Sequence, residues 1–410
     1  MNGISFLLFS RKRNIGLWII VILFASLNAL AQWSAEEDAA YIRRFEEKFA
    51  KAAVLPGLKE YASPQRYDEL YMGESFRDAL QQLSNDQGGI AWGWSYRMIS
   101  LNEMFRVTQD VKYLQANLEA IRAILAARDD KLNKKLWTGK IAPAWGSDKY
   151  AECGRAIFAV HTGMILYPMF EFLALANKTP EYKKSLGEEY DSILAALQES
   201  LSYHDRQYQQ GPGEGEAHYI GLDQENVMEN KPLPGNRLSA MGRALWWAWK
   251  VDGKKEHRER AIAIGRYIKN RLTLAPDGAY YWPYWLPIEP VKESAPKEKI
   301  KGEDISHGSL TMSLPIILAG EGEVFTAADM EKLGKTVVQG FARLNSGVLF
   351  GDVTGNPKSD PSLAQLPARW LRLTPFAAET HQRISQFYLT YQPTPGPLDL
   401  ALLLRYAPGK

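Results

Sequence analysis

The chain has 410 residues, of which 46% are hydrophobic and 23% charged, and its formal net charge is +2. These are the values of an ordinary globular protein, so they exclude a disordered or fibrous chain, and the near-neutral charge gives no electrostatic basis for binding nucleic acid. Aromatic residues make up 11% of the chain, including 12 Trp and 20 Tyr. Such a surplus is typical of proteins whose grooves stack on flat or ring-shaped ligands.

The N-terminus has the pattern of a secretory signal peptide. Three cationic residues at 11–13 precede an apolar run over 15–27, and a small-x-small cleavage pattern ends at Ala31. A membrane anchor is the alternative, but the run is short for a membrane span. We therefore predict a signal peptide over 1–31, a single domain over 32–410 and a secreted or periplasmic location. Removal of the signal peptide changes the formal net charge to −1.

The chain contains a single cysteine, Cys153. It cannot form an intramolecular disulfide, so an exported protein of this kind has to be stabilised by the size of its core, which this length allows. We predict that Cys153 is a buried, small apolar residue.

After the signal peptide, almost every strong hydrophobic pattern has the period of a helix. A one-sided apolar stripe predicts a helix over 36–51, and a second helix is expected around 67–83. Helices joined in pairs by short turns follow, with predicted bounds 92–107 and 111–127, 155–176 and 181–201, 236–251 and 255–272, 306–318 and 326–344, and 376–391 and 397–405. Segments 278–285 and 347–353 could be short strands.

Repeated helical hairpins bury the apolar face of each unit against the next unit. Such an array can be an open solenoid or a closed ring. The long connections 129–150, 203–235 and 273–305 all follow the second helix of a pair, so in a ring they would gather at one mouth. We therefore predict an all-α fold, an α/α toroid of about six or seven helical hairpins, with the first helix of each pair lining the inside.

Several common kinds of site are missing from the sequence. The six histidines are scattered without a His-x-x-x-His pair, and there is no cysteine cluster, so we predict neither a metal site nor a cofactor. The glycine-rich segment 211–215 lacks the Lys-Ser/Thr pair of a phosphate-binding loop. There is also no Gly-x-Ser-x-Gly nucleophile elbow.

The segment 277–308 combines the features expected of a binding site. Tyrosines and tryptophans cluster at 280–285, and the run Glu303-Asp304-Ile305-Ser306-His307-Gly308 leads into a predicted helix. Two acids next to His307 could fix its tautomer and raise its pKa. If the aromatic run is extended, Tyr280 and Tyr281 face opposite ways, so one of them packs in the core.

Other polar candidates stand near the starts of the presumed inner helices. Arg155 and His161 lie at one such start, where His161 could equally be a hydrogen-bonded core histidine. Asn236 and Arg237 lie at another, where Asn236 could be no more than an N-cap. The tryptophans in loops or at helix ends are candidates for stacking on sugar rings, and they are Trp92, Trp94, Trp145, Trp282 and Trp285.

Tyr, His, Arg and Asn together suit β-elimination on a uronic-acid polysaccharide. The substrate carboxylate beside the acidic C5 proton has to be neutralised, which suits Asn, Arg or a neutral carboxylic acid. A base and an acid are also needed, and Tyr and His can supply both without a metal. Hydrolysis would instead need two positioned carboxylates. The chain offers Glu214, Glu216, Asp223, Glu225, Glu303 and Asp304 for that role.

The chain resembles the polysaccharide lyases built on α/α toroids, the alginate and glucuronan lyases among them. The segments that carry the resemblance are 94–103, 161–165 and 303–308. The Asn-Asn-His run of some alginate lyases is absent. The resemblance implies Tyr281 as base or acid with His307 or His161 as its partner, Asn226 or Asn236 as the neutralising group, and Arg155 or Arg237 on the substrate carboxylate.

We therefore expect a secreted, metal-independent lyase of an anionic polysaccharide such as alginate or glucuronan, with no nucleic-acid partner and no membrane attachment after signal cleavage. A glycoside or uronyl hydrolase on the same toroid and a non-enzymatic glycan-binding protein are the alternatives. The predicted catalytic residues are Tyr281, His307, His161, Asn236 and Arg155. The predicted substrate-binding residues are Asn226, Arg237, Tyr284, Trp145, Trp282, Trp94 and Glu303.

Overall fold

The computed structural model describes residues 33–53, 57–222, 230–391 and 394–408. The predicted signal peptide and Asn226 lie outside these residues. The α-helices are α1 Ala35–Lys48, α2 Leu58–Tyr61, α3 Pro64–Tyr71, α4 Glu74–Gln81, α5 Ser95–Thr108, α6 Lys112–Ala126, α7 Ala159–Asn177, α8 Pro180–Leu186, α9 Glu188–Ser202, α10 Gly235–Asp252, α11 Lys255–Lys269, α12 Ile305–Thr311, α13 Ser313–Gly320, α14 Ala327–Lys335, α15 Glu379–Tyr391 and α16 Pro397–Arg405.

Shorter elements complete the description. The strands are β1 Tyr208–Gln210, β2 Ala217–Tyr219, β3 Thr273–Leu274 and β4 Tyr280–Tyr281, and they form two antiparallel hairpins, β1 with β2 and β3 with β4. The π-helical segments are Ile90–Trp94 and Thr336–Phe341, and the 3-10 helices are Asp205–Gln207, Lys297–Lys299, Pro361–Leu363 and Pro367–Leu373. Of the two predicted strands, only 278–285 contains one, while 347–353 forms a loop.

Within the described residues, six inner elements form a closed ring. Each inner element contacts the next one, and the last contacts the first. In order around the ring they are α5, α7, α10, α12 with α13, the 3-10 helix Pro367–Leu373 and α16. Side-chain hydrogen bonds link neighbours in the ring: Asn102 Nδ2 donates to the Pro168 carbonyl at 2.9 Å, and Trp370 Nε1 donates to the Ile305 carbonyl at 2.9 Å. The predicted α/α toroid is therefore confirmed, with six inner–outer pairs in the described part of the chain.

The outer elements pack against the inner ones in the order of the chain. Helices α6, α9, α11, α14 and α15 lie outside the first five inner elements, and α3 from the N-terminal part lies outside α16. The prediction that 376–391 and 397–405 form one hairpin is therefore wrong. The inner partner of α15 is the 3-10 helix Pro367–Leu373, which is too short to show a helical period in the sequence.

Helix α7 shows why an inner helix has no one-sided apolar stripe. Its residues from Ala159 to Ala176 are all buried, because neighbours cover it on every side. A Cβ atom on Gly163 would lie 2.6 Å from the backbone of Ala240, so the glycine allows α7 and α10 to pack backbone to backbone. Among the described residues, α7 is the one helix long and apolar enough to cross a membrane, and its enclosure by the ring accounts for that composition.

Local breaks and exposure explain the other differences from the predictions. The predicted helices 67–83 and 181–201 are each split in two, at Gly73 and at Gly187. Cys153 is exposed, so the prediction of burial is wrong. It lies in the loop before α7, where no layer of helices covers it.

Candidate functional site

The N-terminal ends of the inner helices meet at one mouth of the ring, where the long connections also lie. The mouth contains a pocket of about 300 Å³, a size at the lower end of the range for ligand sites. The lining residues are Trp92, Tyr150, Phe158, Val160, His161, Arg237 and His307. Three of the residues predicted for the site, His161, Arg237 and His307, are therefore brought together here.

His307 is held by the N-cap of its own helix. Asp304 Oδ1 accepts hydrogen bonds from the backbone N–H groups of Ser306 at 3.1 Å and His307 at 3.0 Å, and Asp304 Oδ2 lies 2.5 Å from His307 Nδ1. A carboxylate at this position keeps the proton on Nδ1 and leaves Nε2 as an acceptor. The His307 side chain is 43% exposed, and Tyr284 contacts its ring edge to face at 5.3 Å between centroids.

His161 is held in the opposite tautomer. The amide of Asn85 is oriented by the Ala91 N–H, which donates to Oδ1 at 3.1 Å, so Asn85 Nδ2 faces His161 Nδ1 at 3.3 Å. Nδ1 is then an acceptor and Nε2 carries the proton. Burial, together with the positive charge of Arg237, lowers the pKa of His161 to about 3. The imidazole is therefore neutral at physiological pH and is a hydrogen-bond donor without a charge.

The start of α10 supplies the third side of the pocket. Arg237 is partly buried and lines the pocket. Asn236 is buried, and its Oδ1 has no hydrogen-bond partner. The N-cap position belongs to Pro234, so Asn236 is not the N-cap that the sequence allowed.

Arg155 is bound within an ion-pair cluster beside the pocket. Its Nε and Nη2 donate to both oxygens of Asp129 at 2.8 and 2.7 Å, and its Nη1 contacts Asp86 at 2.7 Å and Asp148 at 3.1 Å. These contacts brace the loops that carry Tyr150. A guanidinium engaged by three carboxylates does not have a free edge for a substrate carboxylate.

The aromatic half of segment 277–308 is divided: Tyr281 and Trp282 lie in the core, whereas Tyr280 and Tyr284 are half-buried and Trp285 is exposed. Tyr281 is fully buried, and its hydroxyl donates to Asp277 at 2.9 Å. Burial and the neighbouring Asp277 carboxylate raise the pKa of Tyr281 far above its usual value. Trp282 is also fully buried, and its Nε1 donates to Glu303 at 2.6 Å. Of Tyr281 and His307, only His307 lines the pocket.

Glu303 lies beneath the surface rather than in the pocket wall. Its Oε2 accepts from Trp282 Nε1 and from Thr311 Oγ1 at 2.7 Å, while Oε1 has no partner. Burial raises the pKa of Glu303 well above its usual value. Burial therefore favours the protonated, neutral form of this acid.

The tryptophans divide according to their surroundings. Trp145 is fully buried and donates from Nε1 to the Ile124 carbonyl at 2.7 Å, so neither face of its ring is open to a sugar. Trp94 packs edge to face on Phe76 and lines a separate pocket near α16. Trp92 lines the mouth pocket and contacts the His161 ring at 5.5 Å between centroids.

Two polar residues of the site were not among the predicted catalytic or substrate-binding residues. Tyr150 belongs to a loop and is 39% exposed, and its ring lies 5.2 Å from that of His161. Asn85 positions His161. The signal for both was weak: Tyr150 ends a polar run after Trp145, and Asn85 lies in a Ser-Asn-Asp turn before Gly88.

The carboxylates proposed for hydrolysis have different surroundings, and they do not form one pair in the pocket. Glu214 is exposed, Glu216 forms a buried ion pair with Arg271 at 3.0 Å, and Asp223 and Glu225 lie outside the described residues. Among the described residues, no carboxylate lines the pocket directly, and Asp304 reaches it through His307. The described part of the chain also contains no group of three or more His, Cys, Asp or Glu side chains suited to a metal ion.

No protein-family model and no curated protein matches the chain. It is similar to a solved GH76 α-1,6-mannanase of Salegentibacter sp. HEL1_6, with 11% identity and a TM-score of 0.43 over 83% of this chain and 96% of that one. An inactive variant of that enzyme with two aspartates replaced, in complex with α-1,6-mannotriose, has 12% identity and a TM-score of 0.44, again over 83% of this chain and 96% of that one. A second inactive variant, in complex with α-1,6-mannotetrose, has 12% identity and a TM-score of 0.41 over 76% of this chain and 87% of that one. These likenesses are too distant to transfer an activity.

The prediction of a lyase, with alginate or glucuronan as substrate, is wrong. The three similar solved structures are of an α-1,6-mannanase, which is a glycoside hydrolase, and they give the lyase prediction no support. Two of the residues named for elimination have other partners: Tyr281 is buried against Asp277, and Arg155 is bound to three acids. A tyrosine whose pKa is raised by burial is a poor base.

Proposed function

We propose that this chain is a glycoside hydrolase that binds a glycan at the mouth of the toroid. The observation that carries the proposal is the Asp304–His307 pair, whose imidazole lines a pocket beside the rings of Trp92 and Tyr150. Sugar rings bind on aromatic faces that are bordered by hydrogen-bonding groups. The pocket supplies both kinds of surface next to a group that exchanges protons.

In this proposal His307 is the general base. Asp304 keeps Nδ1 protonated, so Nε2 can accept a proton from water while the water oxygen attacks the anomeric carbon of the sugar. The Asp304 carboxylate then stabilises the imidazolium that forms. His161 donates a neutral hydrogen bond from Nε2 to a sugar hydroxyl. The leaving oxygen takes up a proton from solvent as the glycosidic bond breaks, so the step is balanced by the proton that His307 removes from water.

Two finer points belong to the same proposal. Arg237 places a cation on the pocket wall, which favours a glycan with an acidic substituent over a neutral one. The N-terminal pattern over 1–31 favours export to the periplasm or beyond, where polymeric glycans are met. N-terminal sequencing of the protein recovered from its native host tests the second point, and a first residue other than Gln32 would contradict the predicted cleavage.

Incubation of the purified protein with a panel of neutral and acidic glycans, α-mannans included, tests the activity. We expect new reducing ends with at least one glycan, and we expect His307→Asn to lower the rate by about 10²-fold or more. A rate unchanged in His307→Asn would contradict the proposed base. Retention on a glycan without cleavage would identify a binding protein, and a product with near-ultraviolet absorbance would contradict hydrolysis.

The chain contains a matched control for this variant. His257 Nδ1 lies 3.1 Å from Asp252 Oδ2, which makes a second Asp–His pair at the start of the outer helix α11. His257 does not line the mouth pocket. We therefore expect His257→Asn to leave the rate unchanged, and an equal loss in both variants would show that the effect of His307→Asn is not specific to the mouth.

A further inference from the structure

Two arginines lie inside the ring, beneath the floor of the mouth pocket. The floor contains Phe158 and Val160, which pack in a small apolar cluster with Met164, Ala240, Leu310, Ala151 and Ala156. Arg243 on α10 is 2% exposed, and Arg369 on the 3-10 helix Pro367–Leu373 is 4% exposed. Both guanidinium groups are therefore enclosed by the inner elements.

Neither guanidinium has its hydrogen bonds satisfied. Arg243 Nη2 contacts the Met164 sulfur at 3.0 Å, which is a weak acceptor, and Arg243 Nε has no partner. Arg369 Nε and Nη1 have no partner either. One face of each group is covered by a ring, Tyr167 at 4.5 Å for Arg243 and Tyr96 at 3.9 Å for Arg369. Buried donors without acceptors are rare in native proteins and call for an explanation.

The nearby acids are engaged with other partners. Glu103 binds Arg372 at 3.1 Å, and Glu171 binds Arg106 at 3.0 Å. Over the described ranges, no carboxylate lies within ion-pair distance of Arg243 or Arg369. Asp399 is the acid whose pKa responds to the charge of Arg369, but burial outweighs that charge and raises the pKa of Asp399. The Asp399 carboxylate accepts a hydrogen bond from the Gly396 N–H.

The two arginines also repel each other and Arg372. Burial and these neighbouring cations lower the pKa of Arg243, although Tyr167 opposes the effect, and the result is about 10. Arg243 therefore remains charged at physiological pH. A water molecule would satisfy the free N–H groups, but it would leave the charge uncompensated, and an unpaired buried charge is strongly unfavourable.

We propose that the interior of the ring binds a small monovalent anion, a halide, between Arg243 and Arg369. The free donors Arg243 Nε, Arg369 Nε and Arg369 Nη1 are its ligands, and the apolar side chains of Met164 and Leu310 separate it from the mouth pocket. A halide suits this site because the ligands are N–H donors only, and because an apolar enclosure favours a weakly hydrated ion. The anion acts as a fixed counter-charge for the inner helices and does not depend on the glycan.

Thermal unfolding of the full chain at constant ionic strength tests the proposal, with sodium chloride replacing sodium gluconate. We expect chloride to raise the midpoint by about 2–6 °C. Arg369→Met removes two of the three free donors, and an apolar chain of similar length replaces an unpaired buried cation with little cost to folding. This variant should lose the chloride dependence, whereas Arg122→Met, which changes an exposed arginine, should keep it.

Crystals soaked in sodium bromide give a second readout on the unaltered protein. We expect an anomalous peak within hydrogen-bond distance of Arg243 Nε and Arg369 Nη1. Equal midpoints in chloride and gluconate, or the same chloride dependence in Arg369→Met, would overturn the proposal. A bromide peak without any shift of the midpoint would indicate an adventitious ion only and would overturn it as well.

Discussion

Both ends of the ring carry charged side chains, but the surroundings of these side chains differ between the two ends. At the mouth, Arg237, His161 and His307 border open space. At the opposite end, the base, Glu103 and Glu171 line a second pocket of about 340 Å³, but there they are buried and bound to Arg372 and Arg106. Ion pairs between buried side chains hold helices together, whereas polar side chains that line the mouth pocket can contact a ligand. In the proposed function, similar residue types therefore serve stability at one end and recognition at the other.

The base network closes the ring where its last inner elements meet the first. Glu103 on α5 lies 3.1 Å from Arg372 on the 3-10 helix and 3.8 Å from Arg405 on α16. Glu171 on α7 accepts from Asn102 on α5 at 2.9 Å. The arginines also lie near the C-terminal ends of the inner helices, where positive charge interacts favourably with the helix dipole.

The largest expected effect is a loss of stability at the base. Glu103→Ala leaves Arg372 buried without its partner, so we expect the free energy of unfolding to fall by about 3–5 kcal/mol. Urea unfolding followed by circular dichroism measures the loss. The matched control is Glu189→Ala, which breaks the exposed pair of Glu189 with Arg122 and should cost less than about 1 kcal/mol. Similar losses in the two variants would contradict the stabilising role of the buried ion pairs at this end of the ring.

At the mouth, Asp304→Asn should change activity more than stability. An asparagine still caps α12 through its side-chain oxygen, but it carries no negative charge to stabilise a protonated His307. We expect the hydrolytic rate to fall by about 10- to 100-fold, equivalent to about 1.4–2.7 kcal/mol in the barrier. Steady-state kinetics and the unfolding midpoint measure the two effects. An unchanged rate would remove Asp304 from the mechanism.

Tyr281→Phe should have the reverse pattern, with a small loss of stability and no loss of activity. The variant removes the hydrogen bond of the buried hydroxyl to Asp277, which should cost about 0.5–1.5 kcal/mol. Denaturant unfolding and the rate of hydrolysis are the two measurements. A large fall in rate would return Tyr281 to the catalytic machinery and contradict its assignment to the core.

The smallest effect concerns Glu303 and depends on pH. Burial raises its pKa in the folded protein above the usual 4.5, so its contribution to stability is complete below about pH 4.5 and is lost as the pH rises through the folded-state pKa. Glu303→Gln keeps an acceptor for Trp282 and Thr311 and cannot ionise. We expect it to lie within about 1 kcal/mol of the wild type at pH 5 and to lose less stability towards pH 8. Parallel curves of stability against pH would contradict the assignment.

Much of the architecture could be predicted, because a helical hairpin is a local structure. The apolar spacing predicted helices over 111–127 and 255–272, and these bounds are close to those of the observed helices Lys112–Ala126 and Lys255–Lys269. The long connections before α7, α10 and α12 indicated a common mouth. The element that the patterns did not reveal, Pro367–Leu373, spans two turns and shows no helical period.

The site could be predicted only where its contacts are close in sequence. Asp304 and His307 are three positions apart at a helix start, so their contact follows from the cap. Trp92, Trp145 and Trp282 looked alike in the sequence, and one lines the pocket while the other two are buried. Which ring faces a cavity depends on helices that are distant along the chain.

The sequence by itself determined the repeated hairpins, the position of the mouth and the Asp304–His307 pair, because spacing and capping act over a few residues. Only the tertiary structure decided the contents of the ring. Glu103 and Arg372 are 269 positions apart, and the enclosure of Arg243 and Arg369 arises when six elements close around one axis. Burial and charge compensation are properties of that closure, so no local pattern in the chain encodes them.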